Sequence, residues 1–209
     1  MPAPRWACWL AGAIGVVWCA PVLGQHLLER VAARVNGYAI TLTDVRAAMA
    51  LGVVEVPPGA GDEAVATDRL VNRQLVLAEV ARFAPPEPSP AAIATETAAL
   101  VERAGPGLAR VMASTGLDQA AVQGIARDNL RIQAYLDQRF GTTVQLTEDE
   151  VTQYYRIHPD EFTKNGTLSP FTEAEPLVRQ GASAERRAAT VEQWVRDLRM
   201  RADVSVPTQ

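Results

Sequence analysis

Apolar side chains recur every three or four residues along most of this chain, and proline or glycine interrupts them, which constrains the fold to packed helices. In one such stretch Val122, Ile125, Ile132 and Leu136 fall on one helical face, and Gly141 ends the pattern. The sequence predicts helices at residues 44–51, 62–83, 90–104, 118–140, 148–158, 172–179 and 184–201, with a short one ending at residue 115. The fold class is therefore mainly α, and the helix at 118–140 is predicted to be the longest.

Short alternating stretches near the two ends of the chain predict a small β-sheet. Val31–Val35 and residues 38–40 flank Asn36 and Gly37, which readily adopt the positive φ angles of a two-residue hairpin turn. Residues 203–206 alternate in the same way close to the C-terminus. Three short strands are therefore expected.

The first 24 residues have the composition of a signal peptide. Arg5 supplies a weak positive charge, residues 6–20 carry no charge, and the small Val22 and Gly24 suit cleavage before Gln25. An uncleaved anchor is the alternative, because an uncharged run near the lower end of ~17–25 residues is just able to span a bilayer. We expect export with cleavage near Gly24 and Gln25.

Both cysteines, Cys8 and Cys19, lie inside this predicted signal peptide. Residues 25–209 therefore contain no disulfide, no thiolate metal ligand and no cysteine nucleophile. The net charge of −4 and the lack of a basic stripe give no indication of a nucleic-acid partner.

The sequence predicts no catalytic residue, metal ligand or cofactor site. Only His26 and His158 are available to a metal, and we expect both to be exposed, since a site needs three or four ligands. The acids at 148–150 are predicted to cap a helix whose N-cap is Thr147. No Gly-x-Ser-x-Gly elbow occurs, and the glycines at 59–61 lack the lysine of a phosphate loop.

Five apolar or aromatic side chains are candidates for contact with a partner: Met49, Leu51, Met112, Tyr154 and Tyr155. Methionine adapts to many surfaces, and adjacent tyrosines can stack on a ligand. For each residue the alternative is burial in the core.

Several segments resemble, in the same order, the SurA family of periplasmic chaperones. The first is Val31-Ala-Ala-Arg-Val-Asn-Gly-Tyr-Ala-Ile-Thr-Leu-Thr-Asp-Val45, in which a strand, a turn and a strand lead to a capped helix. The others are residues 68–77, 146–155, 158–162, 169–174, 194–198 and 202–204. Together they cover nearly all of the chain after residue 24.

The resemblance implies one helical chaperone domain that is assembled from both ends of the chain. Residues 25–163 would form its N-terminal part, 164–170 a short link, and 171–209 the closing helices and strand. The last helix would pack on the N-terminal helices, and residues 204–206 would pair with the hairpin. Where family members insert a parvulin-type isomerase domain, this chain has only residues 163–169, and a folded domain needs at least ~50.

The function implied by the resemblance is that of a non-catalytic periplasmic chaperone. Its partners would be unfolded or nascent envelope and outer-membrane proteins, bound through apolar surface without nucleotide or nucleic acid. It would meet the membrane only through its signal peptide. The alternatives are a divergent prolyl isomerase and a module that binds one specific folded envelope protein.

Overall fold

A computed structural model describes residues 30–57, 62–141 and 145–207 of the chain. The predicted signal peptide, its cleavage site and His26 lie outside the described residues. The α-helices are α1 (Leu42–Ala50), α2 (Asp62–Phe83), α3 (Pro90–Ala104), α4 (Leu108–Thr115), α5 (Gln119–Phe140), α6 (Glu148–Ile157) and α7 (Phe171–Arg201). Two 3₁₀-helices, Gly105–Gly107 and Pro159–Phe162, precede α4 and follow α6. The prediction of a mainly helical fold is confirmed.

The predicted sheet is also confirmed, with strands β1 (Val31–Val35), β2 (Tyr38–Thr41) and β5 (Val204–Ser205) in the antiparallel order β2-β1-β5. Asn36 and Gly37 have φ angles of 50° and 85°, the positive values that a type I′ turn requires. The Asp203 N–H donates to Asn36 Oδ1 at 3.0 Å, so the turn also holds the C-terminal strand.

A second hairpin, which the sequence prediction missed, occupies the segment expected to be an irregular link. Strands β3 (Thr163–Lys164) and β4 (Thr167–Leu168) pair across Asn165 and Gly166, whose φ angles are 53° and 79°. The Asn-Gly signal is the same as in the first hairpin. The strands are too short to show an alternating pattern.

The predicted pair of C-terminal helices is wrong, because α7 is continuous over 31 residues and is longer than the 22 residues of α5. Pro176 lies near its start and removes one N–H donor from the helix. The helix also passes through Gly181, where the low helix propensity favours a break. Packing of α6 on this part of α7 stabilises the helix across that point.

One apolar cluster joins the sheet to the N-terminal helices. Val35 and Ile40 of the hairpin contact Val45 of α1 and Val71 and Leu75 of α2. On its border, Leu198 of α7 and Val204 of β5 pack against the same cluster. Both ends of the described chain therefore contribute to one core.

Aromatic rings dominate a second cluster, in which α7 packs on α2 and α5. Trp194 of α7 lies 5.8 Å from Tyr135 and 5.4 Å from Phe140, measured between ring centroids. Nearby, Arg199 donates to Asn72 Oδ1 at 3.0 Å and pairs with Asp68 at 2.6 Å. The last helix thus packs on the N-terminal helices, as the resemblance implies.

Two further clusters complete the interior of the described residues. Leu51 at the end of α1 packs with Leu100 of α3 and with Val122 and Ala126 of α5. The other cluster joins α6, its following 3₁₀-helix and the first half of α7. Among the described helices, none is long and apolar enough to cross a membrane.

Candidate functional site

An open groove of about 500 Å³ lies between α6 and α7. Most of its floor is apolar, and charged side chains stand at its rim. The apolar residues that line it are Leu146, Tyr154, Ile157, Ala182 and Ala189. A concave surface with apolar lining and a few polar groups is the usual form of a binding site.

A capping box fixes the start of α6 and therefore the direction of its side chains. The Glu150 N–H donates to Thr147 Oγ1 at 3.2 Å, and the Thr147 N–H donates to Glu150 Oε2 at 2.9 Å. These hydrogen bonds hold the pKa of Glu150 below its ordinary value. Because α6 starts here, one of its faces lines the groove with residues that are four positions apart, Asp149, Gln153 and Ile157.

The two helices approach closely at the base of the groove, where Gly181 of α7 faces Tyr154 of α6. A Cβ atom on Gly181 would lie 2.6 Å from both Cε1 and Oη of Tyr154, so only glycine permits this contact. The Tyr154 hydroxyl donates to Glu161 Oε2 at 2.8 Å. Burial, with this hydrogen bond, raises the pKa of Tyr154 to about 12.

His158 connects the end of α6 to α7, and its position corrects the prediction of an exposed side chain. Its ring stacks on Tyr154 at 4.2 Å, and 32% of the side chain is exposed. Its Nδ1 lies 3.2 Å from Glu161 Oε1, and its Nε2 lies 3.3 Å from Glu185 Oε2. The imidazole therefore links the 3₁₀-helix to α7 through two carboxylates.

The rim carries more acidic than basic groups. Asp149, Glu150 and Glu185 stand against Arg186, whose Nη1 is 3.9 Å from Glu150 Oε1. Ile157 is 55% exposed, whereas Val151, earlier on the same helix, is fully buried. A large apolar side chain at the groove therefore remains open to solvent.

The two tyrosines predicted to contact a partner face different surroundings. Tyr154 lines the groove but is only 9% exposed, so it serves mainly as its floor. Tyr155 is half-buried, donates to the Ser169 carbonyl at 2.6 Å and packs against the rings of Phe162 and Phe171. Only Tyr154 belongs to the groove.

The other three candidates lie elsewhere. Leu51 is 0% exposed, which makes its predicted availability to a partner wrong, because α3 and α5 cover it. Met49 is half-buried against the core beneath the sheet, and Met112 is half-buried in α4. The sequence analysis did not identify Ile157, Ala182 or Ala189 as groove residues. Ala182, Glu185 and Ala189 are three and four residues apart, and this helical spacing places them on the face of α7 that lines the groove.

No group of three or more histidine, cysteine, aspartate or glutamate side chains is arranged to hold a metal within residues 30–57, 62–141 and 145–207. A scan of protein-family models finds no match to this sequence, and a search of curated proteins finds no match either. The functional interpretation therefore depends on the geometry of the molecule.

Proposed function

We propose that this protein is a non-catalytic chaperone of the SurA type that holds apolar segments of unfolded exported proteins in the groove between α6 and α7. The observation that carries the proposal is the open groove of about 500 Å³ with an apolar floor and the exposed Ile157 at its edge. Its clients would be nascent or unfolded envelope and outer-membrane proteins in the periplasm.

The size of the groove favours weak and reversible binding. Burial of one large apolar side chain stabilises a complex by roughly 1.5–3 kcal/mol. Two such side chains would give a gross gain of about 3–6 kcal/mol, from which the cost of ordering the client is subtracted. A dissociation constant of 1 mM corresponds to about 4 kcal/mol, so release needs no nucleotide.

Three features of the fold support the SurA-type assignment. Strand β5 pairs with β1, and α7 packs on α2, so that the two ends of the described part of the chain form one body. The hairpin Thr163–Leu168 stands where an isomerase domain would be inserted in family members. The first two features are those that the resemblance implies, and the short hairpin takes the place of the link expected where the isomerase domain is absent.

Suppression of aggregation tests the proposal, with Ile157→Asp as the groove variant. Leu177→Asp is a matched control, because Leu177 is 54% exposed on α7 and does not line the groove. At near-equal molar ratio, the wild-type protein and Leu177→Asp should suppress aggregation of a chemically denatured outer-membrane protein, and Ile157→Asp should not.

Two results would count against the proposal. If wild-type protein leaves aggregation unchanged, it is not a chaperone; if both variants lose or retain the effect together, the groove is not the binding surface. The alternatives have their own readouts. Catalysis of prolyl-peptide isomerisation would indicate an isomerase, and recovery of one folded partner at fixed stoichiometry would indicate a dedicated interaction module.

A further inference from the structure

A second cavity, separate from the α6–α7 groove, lies beside the free edge of the sheet. Strand β2 is at one end of the order β2-β1-β5, and in the described part of the chain no strand pairs with its outer side. The cavity has a volume of about 250 Å³ and is bounded by Tyr38 and Ile40 of β2 and by α1, α2 and α5. Since these two residues are two apart, their side chains share one face of the strand.

Three charged residues line this cavity: Asp44 from α1, whose carboxylate accepts from the N–H and hydroxyl of Thr41, and the oppositely charged Arg73 from α2 and Asp128 from α5. Among the described residues, the side chains of Arg73 and Asp128 make no hydrogen bond or ion pair with another protein group, and both residues are half-buried. Burial lowers the pKa of Arg73, which Asp128 partly offsets, and raises the pKa of Asp128, which Arg73, Arg131 and Arg127 partly offset. Desolvated charges of this kind are normally hydrogen-bonded.

The remaining lining is largely apolar and comes from Val53, Leu70, Leu77, Leu117 and Ile125. An apolar cavity of roughly 150 Å³ holds a benzene ring, so this one has room for a large side chain. A ligand that suits this cavity would combine an apolar group with one hydrogen-bond acceptor for the guanidinium and one donor for the carboxylate.

A peptide group meets the polar requirement, because its carbonyl accepts and its N–H donates. A strand laid beside β2 meets the apolar requirement, because every second side chain would point to the same face as Ile40 and toward the cavity. We propose that this cavity is a binding site for an extended peptide that adds to the sheet beside β2, with one apolar side chain in the cavity and main-chain groups bound by Arg73 and Asp128.

Recognition at this site is by the main chain, so it accepts many sequences that have an apolar residue at the inward position. The site differs from the α6–α7 groove, which would hold side chains alone. It does not depend on the function proposed for that groove, and the two can be tested separately.

The probe is a fluorescein-labelled peptide, acetyl-Lys-Val-Thr-Val-Thr-Val-Lys-amide, titrated with the full-length protein and followed by fluorescence anisotropy. Its control has the same side chains but is N-methylated at all three valines and both threonines, which removes the N–H groups needed for strand pairing along both edges of the peptide. We expect the control to bind at least tenfold more weakly. We also expect bound peptide to slow hydrogen exchange in residues 38–41.

Substitutions locate the site. Arg73→Met should weaken binding of the unmethylated peptide at least tenfold, since it removes a charged hydrogen-bond donor. Arg82→Met is the matched control on the same helix, because Arg82 is an exposed arginine that pairs with Glu79 and does not line the cavity. Leu77→Trp fills the cavity and provides a second test if Arg73→Met does not fold, as judged by circular dichroism.

The outcomes separate this proposal from the function proposed for the groove. Binding that survives Ile157→Asp but not Arg73→Met supports a distinct site at β2. Equal binding of the N-methylated peptide, or equal binding by Leu77→Trp, overturns the proposal. It is also overturned if the wild-type protein binds no peptide, or if it self-associates through residues 38–41, which would make a second copy the occupant of the edge.

Discussion

Replacement of Gly181 by alanine tests the close approach of α6 and α7 that forms the base of the groove. Gly124 in α5 provides the matched control, because both glycines lie inside long helices. A Cβ atom on Gly124 would meet nothing within 4 Å, whereas on Gly181 it would lie 2.6 Å from the Tyr154 ring. The same chemical change should therefore have opposite effects at the two positions.

The expected changes in the free energy of unfolding follow from one stabilising and two destabilising terms. Glycine to alanine inside a helix stabilises by about 0.8–1 kcal/mol, which is the whole effect expected at Gly124. At Gly181 the Tyr154 ring must shift, and overpacking of this kind costs about 1–3 kcal/mol. The shift also lengthens the 2.8 Å hydrogen bond from the Tyr154 hydroxyl to the Glu161 carboxylate. A hydrogen bond to a carboxylate contributes about 1.5–3 kcal/mol to the free energy of unfolding. If the hydrogen bond is lost, the three terms give a net destabilisation of about 1.5–5 kcal/mol.

Urea unfolding followed by far-ultraviolet circular dichroism measures both changes in the free energy of unfolding. A double-mutant cycle adds the physical cause, because Gly181→Ala should no longer destabilise a protein that already carries Tyr154→Ala. If Gly181→Ala and Gly124→Ala stabilise equally, or if the cycle shows no coupling, the two helices do not meet as described.

Three further changes test other parts of the fold. Ala84 follows α2 with a φ of 42°, so Ala84→Gly should raise the free energy of unfolding by about 1 kcal/mol, as measured in urea. Trp194→Ala should lower it by about 3–5 kcal/mol, since the ring fills the core between α2, α5 and α7. The depressed pKa of Glu150 means that its hydrogen bonds to Thr147 stabilise α6 at neutral pH and are lost as the pH falls below the ordinary glutamate range. Glu150→Gln should therefore lose less stability than the wild-type protein when both are titrated with acid.

Several features that depend on neighbouring residues could be predicted from the sequence, although the second Asn-Gly hairpin was missed. Asn36-Gly37 gave the turn between β1 and β2, because few other residue pairs adopt two successive positive φ angles. Thr147 and Glu150 gave the start of α6, because a capping box satisfies its own backbone groups. In both cases the interaction lies within four residues.

Features that depend on distant packing could not be predicted. Gly181 indicates a break when its helix is considered alone, yet α7 continues because Tyr154 of α6 packs on it. Leu51 resembles an accessible residue at the end of a short helix, but residues 100, 122 and 126 bury it. Periodicity identifies the apolar face of a helix, and only the tertiary structure shows whether another element covers it.

The same reasoning explains why the sequence did not identify Ile157 as exposed, although Val151 on the same helix is fully buried. Both lie on α6, but α6 packs chiefly on α7, and α7 covers only one side of it. Val151 faces Val178 and Ala174, whereas Ile157 extends along the open groove. A helix with a single large packing partner leaves part of its apolar surface exposed, and that surface is where binding is proposed.

The position of the groove along α7 determines whether loss of binding can be distinguished from loss of folding. Ala182 lines the groove, and Trp194 fills the central core twelve residues later, a separation of about 18 Å along the helix axis. Substitutions more than about 7–10 Å apart without shared partners have nearly additive effects. A change at Ile157 should therefore leave the core around Trp194 intact. If Ile157→Asp no longer suppresses aggregation but keeps the thermal stability of the wild-type protein, the groove itself is the binding surface.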